Sequence, residues 1–273
     1  MNVIGGGAMD KNAPIGLFDS GIGGLTVVKA MKKILPNENI IYVGDNKRAP
    51  YGPRSAVQIV EFMHEILKFF LTKKVKMAVF ACNTMTAYGY EEAKKNYPFL
   101  ITAMNTGAQQ ALQSSINKKI GVIATQGAIT SKMHEKAIAQ INQEADVYAV
   151  ACHDFVPLIE KGDFVGTKIK EVAKKYLQPL KEKEIKSLIL GCTHYPLISS
   201  VINEILGSEI TLINPAEATA ADAKELLRVH NLLKTTQSAG TTEIYFSAEL
   251  EKSKKLSQMI LNNNTDLYKT VEL

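Results

Sequence analysis

Two short apolar stretches of this chain each end in a cysteine that is followed by small polar residues. The first covers residues 75–84 and ends in Cys82-Asn-Thr, and the second covers residues 185–194 and ends in Cys192-Thr-His. The second stretch repeats the layout of the first about 110 residues further along the chain. A thiolate can act as a base or a nucleophile, so two thiols in one site could act on opposite sides of a bound molecule.

We predict that both stretches form buried strands, because each is a short, continuous apolar run typical of parallel sheets. Ligands of open α/β sheets bind beyond the carboxyl ends of the strands, where Cys82 and Cys192 would lie. A helix that starts after each cysteine would stabilise a thiolate. A single strand-end cysteine is usually only a small buried apolar residue, but its repetition favours one functional site with a thiol on each side.

The pattern around the first predicted strand also recurs. Residues 15–20 and residues 120–125 share an apolar run with a hydroxyl side chain at its end, at nearly the same offset as the cysteines. We therefore predict an α/β protein of two similar α/β units with mostly parallel central sheets, related by a pseudo-two-fold axis, with the active site in the cleft between them. The predicted domains are residues 1–106 together with the returning tail, residues 214–273, and residues 107–213.

A long amphipathic helix is predicted after the second strand. Ser55 would cap it, and it would end near residue 74. Its predicted apolar face consists of Val57, Val60, Ile66, Leu67 and Phe70.

The composition disfavours several classes of protein. The chain has 273 residues, of which 46% are hydrophobic, and its net charge of +5 comes from scattered lysines, so nucleic acid is not an expected partner. Three cysteines do not indicate a disulfide framework, which favours a cytoplasmic location, and no apolar run is long enough to span a bilayer. We interpret residues 1–9 as a flexible leader that is partly a vector remnant or precedes an alternative start.

Two other kinds of site are compatible with parts of the sequence. Cys152-His and Cys192-Thr-His contain possible metal ligands, but their spacing is not that of a structural zinc site, and no metal site is predicted. Gly21-Ile-Gly-Gly followed by Asp45 resembles a dinucleotide-binding turn with an acidic residue for the ribose. The third glycine of that motif is absent and Asp19 would face the pyrophosphate, so a dinucleotide-dependent oxidoreductase is the weaker alternative.

Acidic and hydroxyl side chains stand close to the predicted strand ends. Asp19 and Ser20 end the first strand, where the carboxylate could accept a proton from a thiol, bind an ammonium group or cap the next helix. The equivalent part of the second unit ends in Thr125 and lacks the carboxylate. A second acid must come from elsewhere, and Glu160 and His194 are available.

Four motifs together resemble those of bacterial glutamate racemases, in the aspartate/glutamate racemase superfamily. They are Phe18-Asp-Ser-Gly-Ile-Gly-Gly-Leu-Thr, Ala49-Pro-Tyr-Gly, Ala81-Cys-Asn-Thr and Leu190-Gly-Cys-Thr-His-Tyr-Pro. The resemblance extends in order over residues 14–221, about three quarters of the chain. It implies a cytoplasmic isomerase that interconverts L- and D-glutamate without pyridoxal phosphate, metal or another cofactor. Such an enzyme supplies D-glutamate for peptidoglycan, and so serves cell wall biogenesis and cell shape.

The resemblance also implies roles for the motif residues. Cys82 would take the α-proton from D-glutamate and Cys192 would take it from L-glutamate, each returning a proton to the opposite face in a two-base mechanism. Asp19 would assist the first thiol, and His194 with Glu160 would assist the second. Without a cofactor, hydrogen bonds must hold the charge of the carbanion. The residues implied in substrate binding are Ser20, Tyr51, Gly52, Asn83, Thr84, Thr125 and Thr193.

The chain departs from the family's usual motifs at Asn105, Ala128, His153 and Asn214, which bears on substrate preference and on any effector site. An aspartate racemase or a broad-specificity amino-acid racemase is therefore the nearest alternative. A racemase-like protein that only binds another partner is the most distant one. The expected partner is a small-molecule substrate, with neither nucleic acid nor a membrane involved. A homodimer is expected, although no sequence feature defines the oligomeric state.

Overall fold

Parallel strands and helices alternate along the chain, as a computed structural model of residues 9–236, 238–264 and 266–273 shows. The interpretation of residues 1–9 lies, apart from Met9, outside the described residues. The strands are β1 (Ile15–Asp19), β2 (Ile40–Gly44), β3 (Met77–Phe80), β4 (Leu100–Ala103), β5 (Lys119–Ala124), β6 (Asp146–Ala151), β7 (Ser187–Gly191), β8 (Thr211–Ile213), β9 (Thr242–Phe246) and β10 (Leu267–Thr270). The α-helices are α1 (Leu25–Ile34), α2 (Ala56–Thr72), α3 (Asn83–Asn96), α4 (Ala108–Ser114), α5 (Gln126–Ser131), α6 (Met133–Ile141), α7 (Phe155–Ile159), α8 (Thr167–Glu182), α9 (Ser199–Leu206), α10 (Ala216–Val229) and α11 (Leu250–Leu261).

The strands form two parallel sheets that share one internal order. The first sheet has the order β10-β9-β2-β1-β3-β4, and the second has the order β6-β5-β7-β8. In both sheets the strand that precedes a site cysteine, β3 or β7, lies beside the first strand of its unit, β1 or β5. The order β2-β1-β3-β4 thus recurs as β6-β5-β7-β8, and the predicted fold of two similar α/β units is confirmed.

The chain after α10 extends the first sheet. β9 pairs with β2, and β10 pairs with β9. The segment that leads into β9 is held by the buried Lys76, whose ammonium group donates to the carbonyl of Leu232 at 2.9 Å and to the carboxylate of Glu38 at 2.5 Å. Glu38 also accepts the N–H of Lys234 at 2.8 Å. These contacts fix the returning tail at the amino ends of the central strands.

The predicted apolar face of α2 is wrong at Val57. Ser55 caps this helix as predicted, and its hydroxyl oxygen accepts the N–H of Gln58 at 3.3 Å. Val57, however, is 68% exposed. The buried face consists of Ile59, Met63, Ile66, Leu67 and Phe70. These residues repeat every three or four positions on one side of the helix, whereas Val57 lies on the other side.

The buried core is continuous between the two units. One cluster of buried apolar side chains contains Leu17 of β1 and Val79 of β3 together with Ile123 of β5 and Leu190 of β7. The strand ends of the two units are therefore held in a fixed relation by packing. None of the described helices is long and apolar enough to cross a membrane.

Candidate active site

A narrow cavity lies where the carboxyl ends of β1, β3, β5 and β7 meet. The cavity is nearly closed, and only about 10 Å³ of it is open to the centre of a water molecule. Its lining consists of Asp19, Ser20, Pro50, Tyr51, Gly52, Cys82, Asn83, Thr84, Thr125, Val156, Gly191, Cys192, Thr193 and His194. The two cysteines share this cavity, and every predicted site residue lines it except Glu160, which lies behind His194.

Cys82 is paired with a carboxylate. It follows β3 at the N-cap of α3, and its buried thiol forms a hydrogen bond with Asp19. Burial raises the pKa of Cys82 well above its ordinary value, and the charge of Asp19 raises it further. The N–H of Met85, in the first turn of α3, lowers this pKa by less. The predicted effect of a helix start is therefore present at Cys82, but burial outweighs it and favours the protonated thiol. At Cys192 the prediction is wrong, because a 3-10 helix at Tyr195–Ile198 follows and the next α-helix, α9, begins only after it.

Asp19 connects the two halves of the cavity. Its carboxylate accepts the N–H of Ser20 at 2.7 Å and the hydroxyl of Thr193, next to the second cysteine, at 2.8 Å. Burial raises the pKa of Asp19, and the charge of His194 together with the accepted hydrogen bonds offsets only part of that rise. The N-cap of α1 is Gly24, so Asp19 does not cap this helix. Its contacts fit an acid that serves the thiol.

Cys192 is paired with an imidazole. Nδ1 of His194 lies 3.6 Å from Sγ of Cys192, and Nε2 lies 2.6 Å from Oε1 of Glu160. Burial lowers the pKa of His194, but the hydrogen bonds and charges of Cys192 and Glu160 outweigh burial and raise this pKa well above its ordinary value. A positively charged imidazolium therefore faces the sulfur of Cys192, whereas a carboxylate faces the sulfur of Cys82.

The glycine turn after β1 lets this row of side chains approach the backbone. Oε1 of Glu160 accepts the N–H of Ile22 at 2.8 Å. A Cβ on Gly21 would lie 1.9 Å from the same oxygen, and a Cβ on Gly23 would lie 2.2 Å from Nδ1 of His194. Protein side chains thus occupy the space in which a pyrophosphate would contact the turn, which argues against the dinucleotide alternative.

Asn83 offers unused hydrogen-bonding groups to a ligand. Its side chain is buried at the start of α3, and neither Oδ1 nor Nδ2 has a partner among the described residues. An unpaired buried polar group costs about 1–3 kcal/mol, so a ligand with both a donor and an acceptor would relieve this cost. An amino acid carries both in its ammonium and carboxylate groups.

Hydroxyl groups from the two units meet on the same side of the cavity. Thr84 of α3 and Thr125, the N-cap of α5, lie 2.7 Å apart between their hydroxyl oxygens. Tyr88 of α3 donates to the carbonyl of Gly127 at 3.1 Å. The starts of α3 and α5 are therefore joined across the cleft, and their hydroxyl groups are available to a substrate that replaces this contact.

Three residues that line the cavity, Pro50, Val156 and Gly191, were not predicted. Pro50 and Gly191 each adjoin a motif residue, and Val156 lies on the segment that ends in Glu160, so adjacency was the available signal. The hydrogen bond from the backbone N–H of Ile22 to Glu160 was also not predicted, because the side chain of Ile22 takes no part in it. Such a contact depends on how the turn folds.

The metal alternative has no geometric support. Cys152 is buried, whereas the neighbouring His153 is exposed. The part of the chain that the structure describes contains no group of three or more His, Cys, Asp and Glu side chains arranged to hold a metal ion.

The four departures from the usual motifs lie away from the lining of the cavity. Asn105 donates to Asp222 of α10 at 2.8 Å, and Asn214 accepts the N–H of Ala216 at the start of α10. Asn105 and Asn214 thus contact α10, Ala128 is buried in the first turn of α5, and His153 lies at the surface.

Known proteins match this chain in sequence and in structure. A family model described as Asp/Glu/Hydantoin racemase matches residues 15–223. A glutamate racemase from Thermoanaerobacter sp. strain X514 is 45% identical over 254 residues, which is 93% of this chain and 95% of that protein.

Two solved structures are similar over almost their whole length. A glutamate racemase isoform from Bacillus anthracis aligns with a TM-score of 0.90 at 32% identity, and the enzyme from Francisella tularensis, in complex with D-glutamate, aligns with a TM-score of 0.86 at 36% identity. Each alignment covers 96% of this chain and 98% of the other. The predicted resemblance to glutamate racemases is confirmed. This chain belongs to the Asp/Glu/Hydantoin racemase family and is an isomerase.

Proposed function

We propose that this chain interconverts L- and D-glutamate without a cofactor, using Cys82 and Cys192 as two bases. The observation that carries the proposal is the cavity that both cysteines share, with a carboxylate beside one and an imidazolium beside the other. Relatives named glutamate racemase and a similar structure in complex with D-glutamate support glutamate as the substrate.

In the proposed mechanism the resting protein holds one thiolate and one thiol. Cys192 starts as the thiolate because the His194 imidazolium lies beside it, and it removes the α-proton of L-glutamate. Cys82, kept protonated by burial and Asp19, donates a proton to the opposite face. The protonation states of the two cysteines are then exchanged, which prepares the site for D-glutamate.

Asp19 and Asn83 support these proton transfers. The pKa of Asp19 is raised by burial, so its carboxylate can hold the proton of Cys82 while that sulfur acts as a base. Asn83 and the hydroxyl groups of Ser20, Thr84, Thr125 and Thr193 provide hydrogen bonds to the substrate carboxylates and ammonium group. Fixed donors of this kind stabilise the charge of a carbanion that no cofactor holds.

A chiral assay tests the substrate. The purified protein is incubated with L-glutamate and, separately, with L-aspartate, in the presence of EDTA and without added cofactor. D-Glutamate formed in preference to D-aspartate supports the proposal, and D-aspartate alone assigns the alternative aspartate racemase. Formation of neither product contradicts the proposal. Thermal stabilisation by NAD(P) but not by glutamate would favour the oxidoreductase.

We extend the proposal to the organisation of the protein. Residues 1–106 with 214–273 and residues 107–213 act as two domains, the enzyme is a cytoplasmic homodimer, and its D-glutamate enters peptidoglycan. Light scattering on a size-exclusion column tests the dimer against the 29.9 kDa chain. Depletion of the protein in its host, with and without supplied D-glutamate, tests the role in the cell wall.

Gly23→Ala is expected to lower racemase activity by about 10²-fold, the usual cost of a misplacement of about 1 Å at a catalytic group. The new Cβ would overlap the ring of His194 and displace it from Cys192. The measurement is kcat/KM with both glutamate enantiomers. Gly89→Ala is the matched control because the atoms nearest to its new Cβ belong to the side chain of Met63, away from the cavity. Wild-type activity of Gly23→Ala would show that the turn does not position His194.

A further inference from the structure

Asp45 is a fully buried carboxylate at the end of β2 whose contacts lead to the active site. One oxygen, Oδ2, accepts the hydroxyl of Tyr51 and Nε of Arg48, and the other accepts the hydroxyl of Ser247 at 2.8 Å. Its own N–H donates to the carbonyl of Asp19 at 2.9 Å. The residue that resembled a ribose ligand in the sequence is therefore saturated by contacts within the protein.

The loop around Tyr51 is attached through Asp45 on one side and through α2 on the other. The guanidinium group of Arg48 forms an ion pair with Glu65 and lies 4.0 Å from the ring centroid of Phe62. The rings of Phe62 and Tyr51 are 5.5 Å apart between centroids. Hydrogen bonds to charged partners are about twice as strong as neutral ones, so these contacts restrain the loop firmly.

The returning tail completes the attachment. Ser247 follows β9, and the N–H of the next residue, Ala248, donates to Oδ1 of Asn46 at 2.8 Å. Nδ2 of Asn46 donates back to the carbonyl of Ala248 at 2.6 Å. These tail residues lie beyond residue 223, where the family match ends.

The Tyr51 hydroxyl gives its single proton to Asp45, so it has none to donate to a substrate. Burial and the charge of Asp45 raise the pKa of Tyr51 well above its ordinary value, so the hydroxyl stays protonated. Tyr51 therefore lines the cavity together with Pro50 and Gly52 without offering a hydroxyl proton to a substrate.

We propose that Asp45 is a positioning residue that, by holding the hydroxyl of Tyr51, fixes residues 50–52 against the cavity and thereby sets the affinity for substrate. Its kinetic consequence rests on the proposed racemase function, whereas its effect on the loop does not. Because Asp45 contacts neither cysteine in its hydrogen bonds, the proposal assigns it to binding of the substrate and not to proton transfer.

Hydrogen–deuterium exchange and racemase kinetics of four variants test the proposal. In Asp45→Ala, amide exchange in residues 46–54 is expected to rise about tenfold, and KM for glutamate is expected to rise about tenfold with kcat within about threefold. Asp45→Asn, which keeps an acceptor for the Tyr51 hydroxyl, should recover part of both effects. Tyr51→Phe should raise KM like Asp45→Ala, and the double variant should be no worse than Asp45→Ala alone.

Glu243→Gln is the matched control. Glu243 also binds a tyrosine hydroxyl, that of Tyr245 at 2.6 Å, and a cation, Lys269 at 2.8 Å, but it lies away from the cavity. This variant should retain the wild-type KM and the wild-type exchange of residues 46–54.

An unchanged KM in Asp45→Ala, or additive effects of the Asp45 and Tyr51 changes, would overturn the proposal. If the wild-type protein does not racemise glutamate, the proposed function fails, and exchange in residues 46–54 alone decides the role of Asp45. Wild-type exchange in both Asp45→Ala and Tyr51→Phe would then overturn that role. Should Asp45→Ala fail to fold, Asp45→Asn and Tyr51→Phe carry the same comparison.

Discussion

Replacing either Cys82 or Cys192 by alanine is expected to lower kcat/KM for glutamate by about 10⁴-fold in both directions. Each cysteine is the base for one enantiomer and the acid for the other, so its loss blocks both directions. Proton transfer by a positioned side chain accelerates a reaction by about 10²–10⁴-fold. We expect the upper end of this range because no cofactor stabilises the carbanion. Steady-state assays from L-glutamate and from D-glutamate measure the effect.

Cys152→Ala is the matched control for both cysteine variants. Cys152 is as buried as the other two cysteines, but it does not line the cavity. It should keep more than about half of the activity, since a small core substitution acts on stability and not on the chemistry. A Cys82→Ala or Cys192→Ala protein that folds and keeps one tenth of the wild-type activity would exclude the two-base assignment.

Glu160→Gln is expected to move the alkaline limb of kcat/KM for L-glutamate to lower pH. His194 carries its positive charge below its raised pKa, so the charge beside Cys192 is present at neutral pH and is lost as the pH rises through that value. Removing the charge of Glu160 removes one of the two groups that raise this pKa. The charge is then lost earlier, and at about pH 8 we expect a decrease of about 10²-fold.

The exchange of Glu160 for glutamine preserves the shape of the contact. The amide oxygen can still accept the N–H groups of His194 and Ile22, so the change tests charge more than geometry. Glu204→Gln removes an exposed ion pair with Lys170 in the same unit and should leave the pH profile unchanged. An alkaline limb that does not move in Glu160→Gln would show that His194 is not the group that titrates.

The sequence was most informative where its signals repeat. The apolar runs before Cys82 and Cys192 and the second repeat at residues 120–125 predicted two equivalent sheets, because buried parallel strands require continuous apolar segments. The short polar motifs then predicted nearly all of the cavity lining. Strand ends of parallel sheets meet at one edge, so their motif residues converge.

Other features depend on tertiary contacts that no local pattern encodes. Val57 is an apolar residue in a helix rich in apolar residues, but its side chain faces solvent. β10 was not predicted, since its side chains at the sheet edge are mostly exposed and lack an apolar pattern. The hydrogen bond between Asp45 and Tyr51 joins a strand end to a loop. Gly21 and Gly23 make room for Glu160 and His194, which are far away in the sequence.

The difference between the two thiols could be only partly predicted from sequence. The residues after each cysteine differ, which indicated unequal halves. The structure adds the sign of each partner's charge: the Asp19 carboxylate at Cys82 and the His194 imidazolium at Cys192. We propose that this difference sets one cysteine as thiol and the other as thiolate before substrate binds.

Deuterium incorporation at early times tests this account most directly. Unlabelled L-glutamate is incubated with the enzyme in deuterium oxide, and both enantiomers are separated and analysed by mass spectrometry below about one tenth conversion. Two bases on opposite faces predict that the D-glutamate formed carries an α-deuterium while the remaining L-glutamate carries none, because Cys192 returns the proton it removed. α-Deuterium appearing in L-glutamate as fast as D-glutamate forms, or D-glutamate that retains its α-proton, would contradict the two-cysteine mechanism.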